Sequence, residues 1–153
     1  MQCSVTKELI AILLKAVRAF AKEDKTLLDR MVSERALCGA LMLKIYACLQ
    51  DTQFAGYFVD VEFNKSKRLK GEEYIYELKG LPNGKYISTD IIVHGRGMGA
   101  MPDNLIAIEM KKKTYGSQRY KDKRDADIER LKDLSTAHYI YHYLSGAFIE
   151  INY

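Results

Sequence analysis

The sequence predicts an α/β fold, because helical and strand-like hydrophobic patterns alternate along its 153 residues. A 3.6-residue apolar repeat spans 5–21, and short β-branched runs occupy 88–94 and 105–111. A charged helical pattern at 121–134 then separates these runs from a last apolar segment. This length is sufficient to bury a core without disulfides, so we expect one domain covering 1–153.

The composition is that of an ordinary globular protein, with 48% hydrophobic residues, 29% charged residues and a net charge of +4. No apolar run approaches the roughly 20 residues that a membrane span needs. The three cysteines, Cys3, Cys38 and Cys48, form no Cys-x-x-Cys pair. Because unpaired cysteines in apolar helical patterns are typical of reducing compartments, we expect an intracellular, cytoplasmic protein with neither a zinc site nor a disulfide framework.

The first predicted helix, 5–21, is amphipathic. Packing of its apolar side against the core is favoured over a membrane-surface role, because its polar side is only lightly basic. Homodimer formation through this helix stays open. Its apolar stripe consists of Leu9, Ile10, Leu13, Leu14 and Val17.

The second predicted helix, 33–50, is almost wholly apolar, and we expect it to be largely buried. Glu34 lies at one end of its core-facing stripe, so a buried carboxylate there would need a partner that neutralises it. The other members of the stripe are Leu37, Cys38, Leu41, Ile45 and Cys48.

Residues 57–64 alternate as a strand with one apolar and one polar face. The polar face carries Asp60 and Glu62, and Glu62 could join a metal cluster or pair with a basic residue. The charged segment 65–84 is interpreted as an insertion or hairpin that ends in a turn at 81–84.

Two further strands carry acidic residues and a lysine. Asp90 lies in the run 88–94, and the glycine-rich 95–99 connects it as a hairpin to 105–111. Because side chains alternate along a strand, Glu109 and Lys111 share one face and leave the other to apolar residues. An acid on one strand, followed by acid-x-lysine on the next, can hold a divalent cation and position a water beside it.

The C-terminal part is predicted to contain a helix at 121–134 and a last strand at 147–151. Its tyrosines could stack on bases, but core and sheet packing is the favoured interpretation. They are Tyr139, Tyr141, Tyr143 and Tyr153.

Basic residues are concentrated between Lys111 and Arg124, where seven of them accompany the single acid Asp122. Such a patch suits the phosphate backbone of a nucleic acid, although a solvated lysine-rich loop explains it equally well. The candidate contacts are Lys112, Lys113, Arg119, Lys121 and Lys123.

The predicted elements follow one another as a helix with Glu34, a strand, a strand with Thr89-Asp90, a strand with Glu109-Met110-Lys111, a helix and a strand. With these residues in this order, the chain resembles the PD-(D/E)xK nuclease superfamily. Thr89 stands where the family name has proline. The resemblance implies a restriction-endonuclease-like three-layer core over 33–151, with helices on both sides of a mixed sheet of four or five strands. Residues 1–31 would form an N-terminal helical extension.

The resemblance also implies an activity. Asp90 and Glu109 would bind Mg²⁺, with Mn²⁺ as a substitute, and Glu34 would complete or tune the site. Lys111 would orient, or help to deprotonate, the attacking water. The expected function is a Mg²⁺-dependent nuclease acting on nucleic acid, with DNA favoured, and cleavage of both strands would call for a homodimer.

Structural interpretations remain open for each of these residues. Glu109 and Lys111 could form an exposed ion pair, Asp90 a turn, and Glu34 a helix-start charge that favours the dipole. A noncatalytic or partner-dependent binding module that retains the fold is therefore the alternative function.

Overall fold

The computed structural model describes residues 2–70, 73–78, 86–98, 100, 102–136 and 141–152, and the α/β class predicted from the sequence is confirmed. None of the described helices is long and apolar enough to cross a membrane. The helices are α1 (Gln2–Glu23), α2 (Lys25–Asp29), α3 (Glu34–Leu49) and α4 (Gln118–Ser135). The strands are β1 (Phe58–Val61), β2 (Lys65–Lys70), β3 (Glu73–Leu78), β4 (Ile91–His94), β5 (Asn104–Lys112) and β6 (Ser145–Ile151).

Four strands form a mixed sheet in the order β1-β4-β5-β6. The β1-β4 and β4-β5 pairs are antiparallel, whereas β5 and β6 are parallel. Parallel neighbours need a long crossover, which α4 supplies between β5 and β6. The β2-β3 pair forms a separate antiparallel hairpin, as predicted for this segment. The turn predicted at 81–84 lies outside the described residues.

Apolar side chains cover both faces of the four-stranded sheet and create three layers. One cluster joins α1 and α3 to the face of β5 that carries Ile106, Ile108 and Met110. The second joins α4 to the opposite face through Ala107 and Leu131. Helix α1 shares the first cluster with α3, so the predicted N-terminal extension contributes to the core.

Helix α4 approaches the sheet closely at one glycine. A Cβ atom at Gly146 would lie 3.0 Å from the Cβ atom of Leu131 and 3.2 Å from Ser135 Oγ. A side chain there would push the helix away from β6. At the other end of α4, Ser117 Oγ accepts a hydrogen bond from the Tyr120 amide, so the helix begins at Gln118, three residues earlier than predicted.

The expectation that the second helix would be largely buried is wrong. Leu43 is 61% exposed and Tyr46 is 47% exposed, because α3 is covered only on the side that faces the sheet and α1. Cys48 is half-buried, and Leu49 completes the buried stripe in its place. The start of α3 agrees with the prediction, since Ser33 Oγ accepts from the Ala36 amide at 3.2 Å.

The strands that contain the acids are shorter than their sequence patterns. Glu62 has a φ of 51°, which ends β1 at Val61 and sends Phe63 to the α4 side rather than to the side of Val59. Strand β4 begins at Ile91, so Asp90 immediately precedes the strand instead of lying within it.

Candidate active site

The Asp90 and Glu109 carboxyl groups are neighbours at the β4-β5 pair. Ile91 is paired with Ile108, and continuing this antiparallel register by one residue places Asp90 opposite Glu109. Asp90 Oδ2 accepts a hydrogen bond from the Met110 amide at 2.7 Å, which fixes the carboxylate against β5. The carboxyl groups of Asp90 and Glu109 are also close enough to share a hydrogen bond when one of them is protonated.

Glu109 is a buried acid, with 2% of its surface exposed. Arg130 Nη1 donates to its Oε1 at 2.6 Å. Burial nevertheless raises the pKa of Glu109 to about 8, and the Asp90 and Asp127 carboxylates add to this rise against the opposing effect of Arg130. The side chain therefore lies where burial, together with the neighbouring carboxylates, makes negative charge costly.

Lys111 lies on the same face of β5 as Glu109, in agreement with the predicted alternation. Its Nζ atom is 3.0 Å from Asp127 Oδ2 and 3.8 Å from Glu34 Oε1. Burial lowers its pKa, but the contact with Asp127 and the nearby carboxylates outweigh this effect and leave the pKa raised. Lys111 is therefore an ammonium group at neutral pH and is not available as a proton acceptor.

Glu34 reaches the same cluster from the other side of the sheet, at the first turn of α3. Its Oε2 accepts a hydrogen bond from the Lys112 amide at 3.1 Å, and its Oε1 faces Lys111. The carboxylate also lies at a helix N-terminus, where negative charge is favoured. Glu34 thus links α3 to the end of β5.

Asp127 and Arg130 on α4 complete the cluster and were not predicted from the sequence. Arg130 Nη2 donates to Asp127 Oδ1 at 2.8 Å, in addition to its contact with Glu109. Asp127 is only 5% exposed, and its Oδ2 has no hydrogen bond of good geometry among the described residues, although Lys111 Nζ is near. A sequence signal existed, because Asp127 precedes the apolar Leu131 by four residues and shares its face of the helix.

Two other acids predicted on the polar face of β1 are paired elsewhere. Arg35 makes a two-pronged contact with Glu62, at 2.9 Å from Nε and 2.7 Å from Nη2. Of the two alternatives left open for Glu62, the structure contains the pair with a basic residue. Asp60 accepts from His94 Nε2 at 2.8 Å and from Arg96 Nε at 2.8 Å.

Cys38 packs under the site on the α3 side, where its Sγ is 3.9 Å from Met110 Sδ. Burial raises the pKa of this thiol to about 12, and the carboxylates of Asp90, Glu34, Glu109 and Glu62 contribute. The thiol behaves as a small apolar group at neutral pH.

Only some residues of the predicted basic patch lie together on one surface. A cleft of about 220 Å³ opens beside Lys111, between the end of β5 and the start of α4. Lys113 instead pairs with Glu150 at 2.8 Å, and Lys121 is exposed outside the lining of the cleft. The cleft is lined by Lys111, Lys112, Thr114, Ser117, Arg119, Tyr120 and Lys123.

The predicted residues Glu34, Asp90, Glu109 and Lys111 thus lie in one continuous chain of contacts with Asp127 and Arg130. Within the part of the chain that is described, no three or more His, Cys, Asp or Glu side chains are grouped so that they could hold a metal ion. The carboxylates are separated by the two cationic side chains: Lys111 contacts Glu34 and Asp127, and Arg130 contacts Glu109 and Asp127.

Comparison with known proteins gives no match: no family model fits the chain, and neither a curated protein nor a solved structure is significantly similar to it.

Proposed function

We propose that this protein is a Mg²⁺-dependent nuclease with a restriction-endonuclease-like core, which hydrolyses phosphodiester bonds, with DNA as the favoured substrate. The observation that carries the proposal is the position of Asp90 opposite Glu109, with Lys111 two residues further along the same strand face. This is the arrangement on which the PD-(D/E)xK resemblance depends. The mixed sheet order and the helices on both of its faces are compatible with that fold.

The donor set fits a hard divalent cation. Asp90 and Glu109 offer carboxylate oxygens, and Mg²⁺ usually takes one or two of these together with waters and substrate phosphate. Asp127 Oδ2 is buried and lies 3.0 Å from Lys111 Nζ, so this oxygen serves the lysine rather than a metal. When bound, Mg²⁺ would lower the pKa of a coordinated water and offset the charge that develops on the phosphoryl oxygens.

Lys111 has the role of a positive donor in this proposal. The raised pKa keeps its amine protonated, so it orients the attacking water or a phosphate oxygen and stabilises negative charge, rather than removing a proton. Glu34 and Asp127 hold the ammonium group from two sides. Of the two roles open to this lysine, the raised pKa supports orientation.

The cleft beside Lys111 supplies the nucleic-acid contacts. Arg119 and Lys123 line it, and neither forms an ion pair within the described residues. Two free cationic groups next to the proposed reaction centre suit successive phosphates of one strand. Because such contacts do not read bases, we infer recognition of backbone or of DNA structure rather than of sequence.

The direct test is cleavage of single-stranded, duplex and four-way-junction DNA and of RNA with Mg²⁺ or Mn²⁺. Lys111→Ala is compared with Lys132→Ala, which removes an exposed lysine that is paired with Glu129 on α4. We expect cleavage that is lost with EDTA and in Lys111→Ala but retained in Lys132→Ala. Equal activity in the two variants would contradict the proposed site.

The alternative is a noncatalytic or partner-dependent binding module. It is favoured by one observation: Arg130 and Lys111 already pair with Glu109 and Asp127, so the cluster has a stable arrangement without a metal. This alternative predicts binding of nucleic acid that is unchanged by EDTA and by Lys111→Ala, with no cleavage of any substrate by the isolated chain.

A further inference from the structure

The cluster around Glu109 carries more negative than positive charge. The cluster has four carboxyl groups, three of which contact its two cationic side chains, so two negative charges are in excess when every carboxyl group is ionised. Buried or half-buried charges without compensation are costly. The carboxyl groups are those of Glu34, Asp90, Glu109 and Asp127, and the cations are Lys111 and Arg130.

Arg130 is the cation that contacts Glu109, the most buried carboxyl group of the cluster. One nitrogen of its guanidinium group contacts Glu109 Oε1 at 2.6 Å, and the other contacts Asp127 Oδ1 at 2.8 Å. Glu109 is 2% exposed, so few directions remain from which a second cation could reach it. The Arg130 side chain is 29% exposed and has solvent on one side.

We propose that Arg130 is an internal counter-ion that a divalent cation displaces from Glu109. The inference rests on the proposed metal site at Asp90 and Glu109. The contact of Nη2 with Asp127 is retained, and Nη1 turns toward the solvent side, where a substrate phosphate would lie. The arginine thus holds the carboxylates together in the metal-free protein and becomes an anion-binding group once the metal is in place.

Displacement follows from the geometry of Glu109. A guanidinium nitrogen at 2.6 Å from Oε1 occupies the space in which a cation would approach this oxygen. A divalent cation and a guanidinium group on the same carboxylate would also repel each other in a medium of low dielectric constant. The i,i+3 contact with Asp127 lies within α4 and does not depend on Glu109, so it provides the point about which the side chain moves.

Calorimetric titration of the whole protein with Mn²⁺ tests the proposal without any substrate. Arg130→Met is compared with Lys111→Met, which removes a nearby positive charge that does not contact Glu109, and with Lys132→Met on the exposed side of α4. We expect Arg130→Met to bind Mn²⁺ about tenfold more tightly than the native protein, or roughly 1.4 kcal/mol. Lys111→Met should change the affinity less, and Lys132→Met should not change it.

The outcomes separate the two proposals. Equal or weaker binding by Arg130→Met overturns the displacement, while the metal site stands. An equal gain in Lys111→Met overturns it as well, because the effect would then be general charge removal. No Mn²⁺ binding by any variant overturns both the metal site and the displacement.

Because Arg130→Met removes the cation that contacts two buried carboxyl groups and can impair folding, a measurement on the native protein is also needed. Side-chain ¹⁵N NMR of arginine during a Mg²⁺ titration reports the environment of Arg130, and Arg130→Lys assigns its signal. We expect this signal to shift with saturation, whereas the Arg124 signal, from an exposed pair with Asp125 on the same helix, stays constant. A constant Arg130 signal at saturating Mg²⁺ overturns the proposal.

Discussion

Asp90 lies opposite Glu109 on the neighbouring antiparallel strand and accepts a hydrogen bond from the amide of Met110, the next residue of β5. The pairing brings together two carboxyl groups whose charges repel, one of which is buried. A fold does not gain stability from such a contact unless a cation or a proton offsets the repulsion. Arg130, 2.6 Å from Glu109 Oε1, supplies a cation, and burial still leaves the charged form of Glu109 disfavoured, with its pKa raised.

The pH dependence of stability should reveal this repulsion. The pKa of Glu109 is about 8 in the folded protein, above its value in the unfolded chain, so the folded state retains a proton that the unfolded state has lost. The stabilisation from this group is complete below about pH 4.5, the ordinary pKa range of a glutamate, and is lost as the pH rises toward 8. Glu109→Gln should therefore unfold at higher urea concentration than the native protein at pH 9.

We expect the free energy of unfolding of Glu109→Gln to rise by roughly 2–4 kcal/mol relative to that of the native protein when the pH is raised from 5 to 9. The measurement is urea unfolding at both pH values without divalent metal. Glu129→Gln is the matched control, because Glu129 is an exposed acid on α4 that pairs with Lys132. A pH-independent difference for Glu109→Gln, or an equal gain for the control, would show that Glu109 titrates normally.

The charge of Lys111, rather than its basicity, should support cleavage. Lys111→Met is expected to lower kcat by roughly 10²–10³-fold, the usual cost of removing one group that stabilises transition-state charge. Lys111→Arg keeps a positive donor and should retain more activity than Lys111→Met, although the guanidinium group fits the site less well. Single-turnover cleavage at saturating metal measures the rate constant of each variant. If Lys111→Met and Lys111→Arg are equally inactive, a proton-acceptor role for Lys111 is favoured.

Much of this arrangement could be predicted because it depends on local patterns. The β-branched runs predict β4 and β5, and the alternation along β5 places Glu109 and Lys111 on one face. Glu34 could be predicted as well, since the helical repeat aligns it with Leu37 and Leu41.

The α4 side of the site could not be predicted in the same way. Asp127 and Arg130 lie in a helix that is rich in charged residues, and their pairing with Lys111 and Glu109 depends on how closely Gly146 lets α4 approach the sheet. Nothing in the local pattern encodes that distance. The end of β1 was missed for a related reason, because the positive φ of Glu62 interrupts an alternation that continues in the sequence.

Asp127 should stabilise the fold by neutralising the two cations that it contacts, Lys111 and Arg130. Asp127→Asn leaves Lys111 and Arg130 without their shared anion, and we expect a loss of roughly 1–3 kcal/mol, less than for a fully buried pair because both cations are partly exposed. Denaturant unfolding at pH 7 measures this loss. Asp125→Asn, which removes an exposed acid of the same helix, should change the free energy of unfolding by less than about 0.5 kcal/mol, and a similar loss in both variants would contradict the role of Asp127.

The cleft beside Lys111 should determine how nucleic-acid binding responds to salt. Replacing both Arg119 and Lys123 by alanine removes two phosphate contacts, so the slope of log K against log salt concentration should become shallower by roughly 1.4 for single strands and 1.8 for duplex DNA. Fluorescence anisotropy in EDTA, which prevents cleavage, measures the slope. A control variant with Lys22→Ala and Lys132→Ala loses the same charge at exposed positions outside the cleft, so its slope should match that of the native protein. Equal changes in the two double variants would mean that DNA is attracted by the overall charge of the protein and not by this cleft.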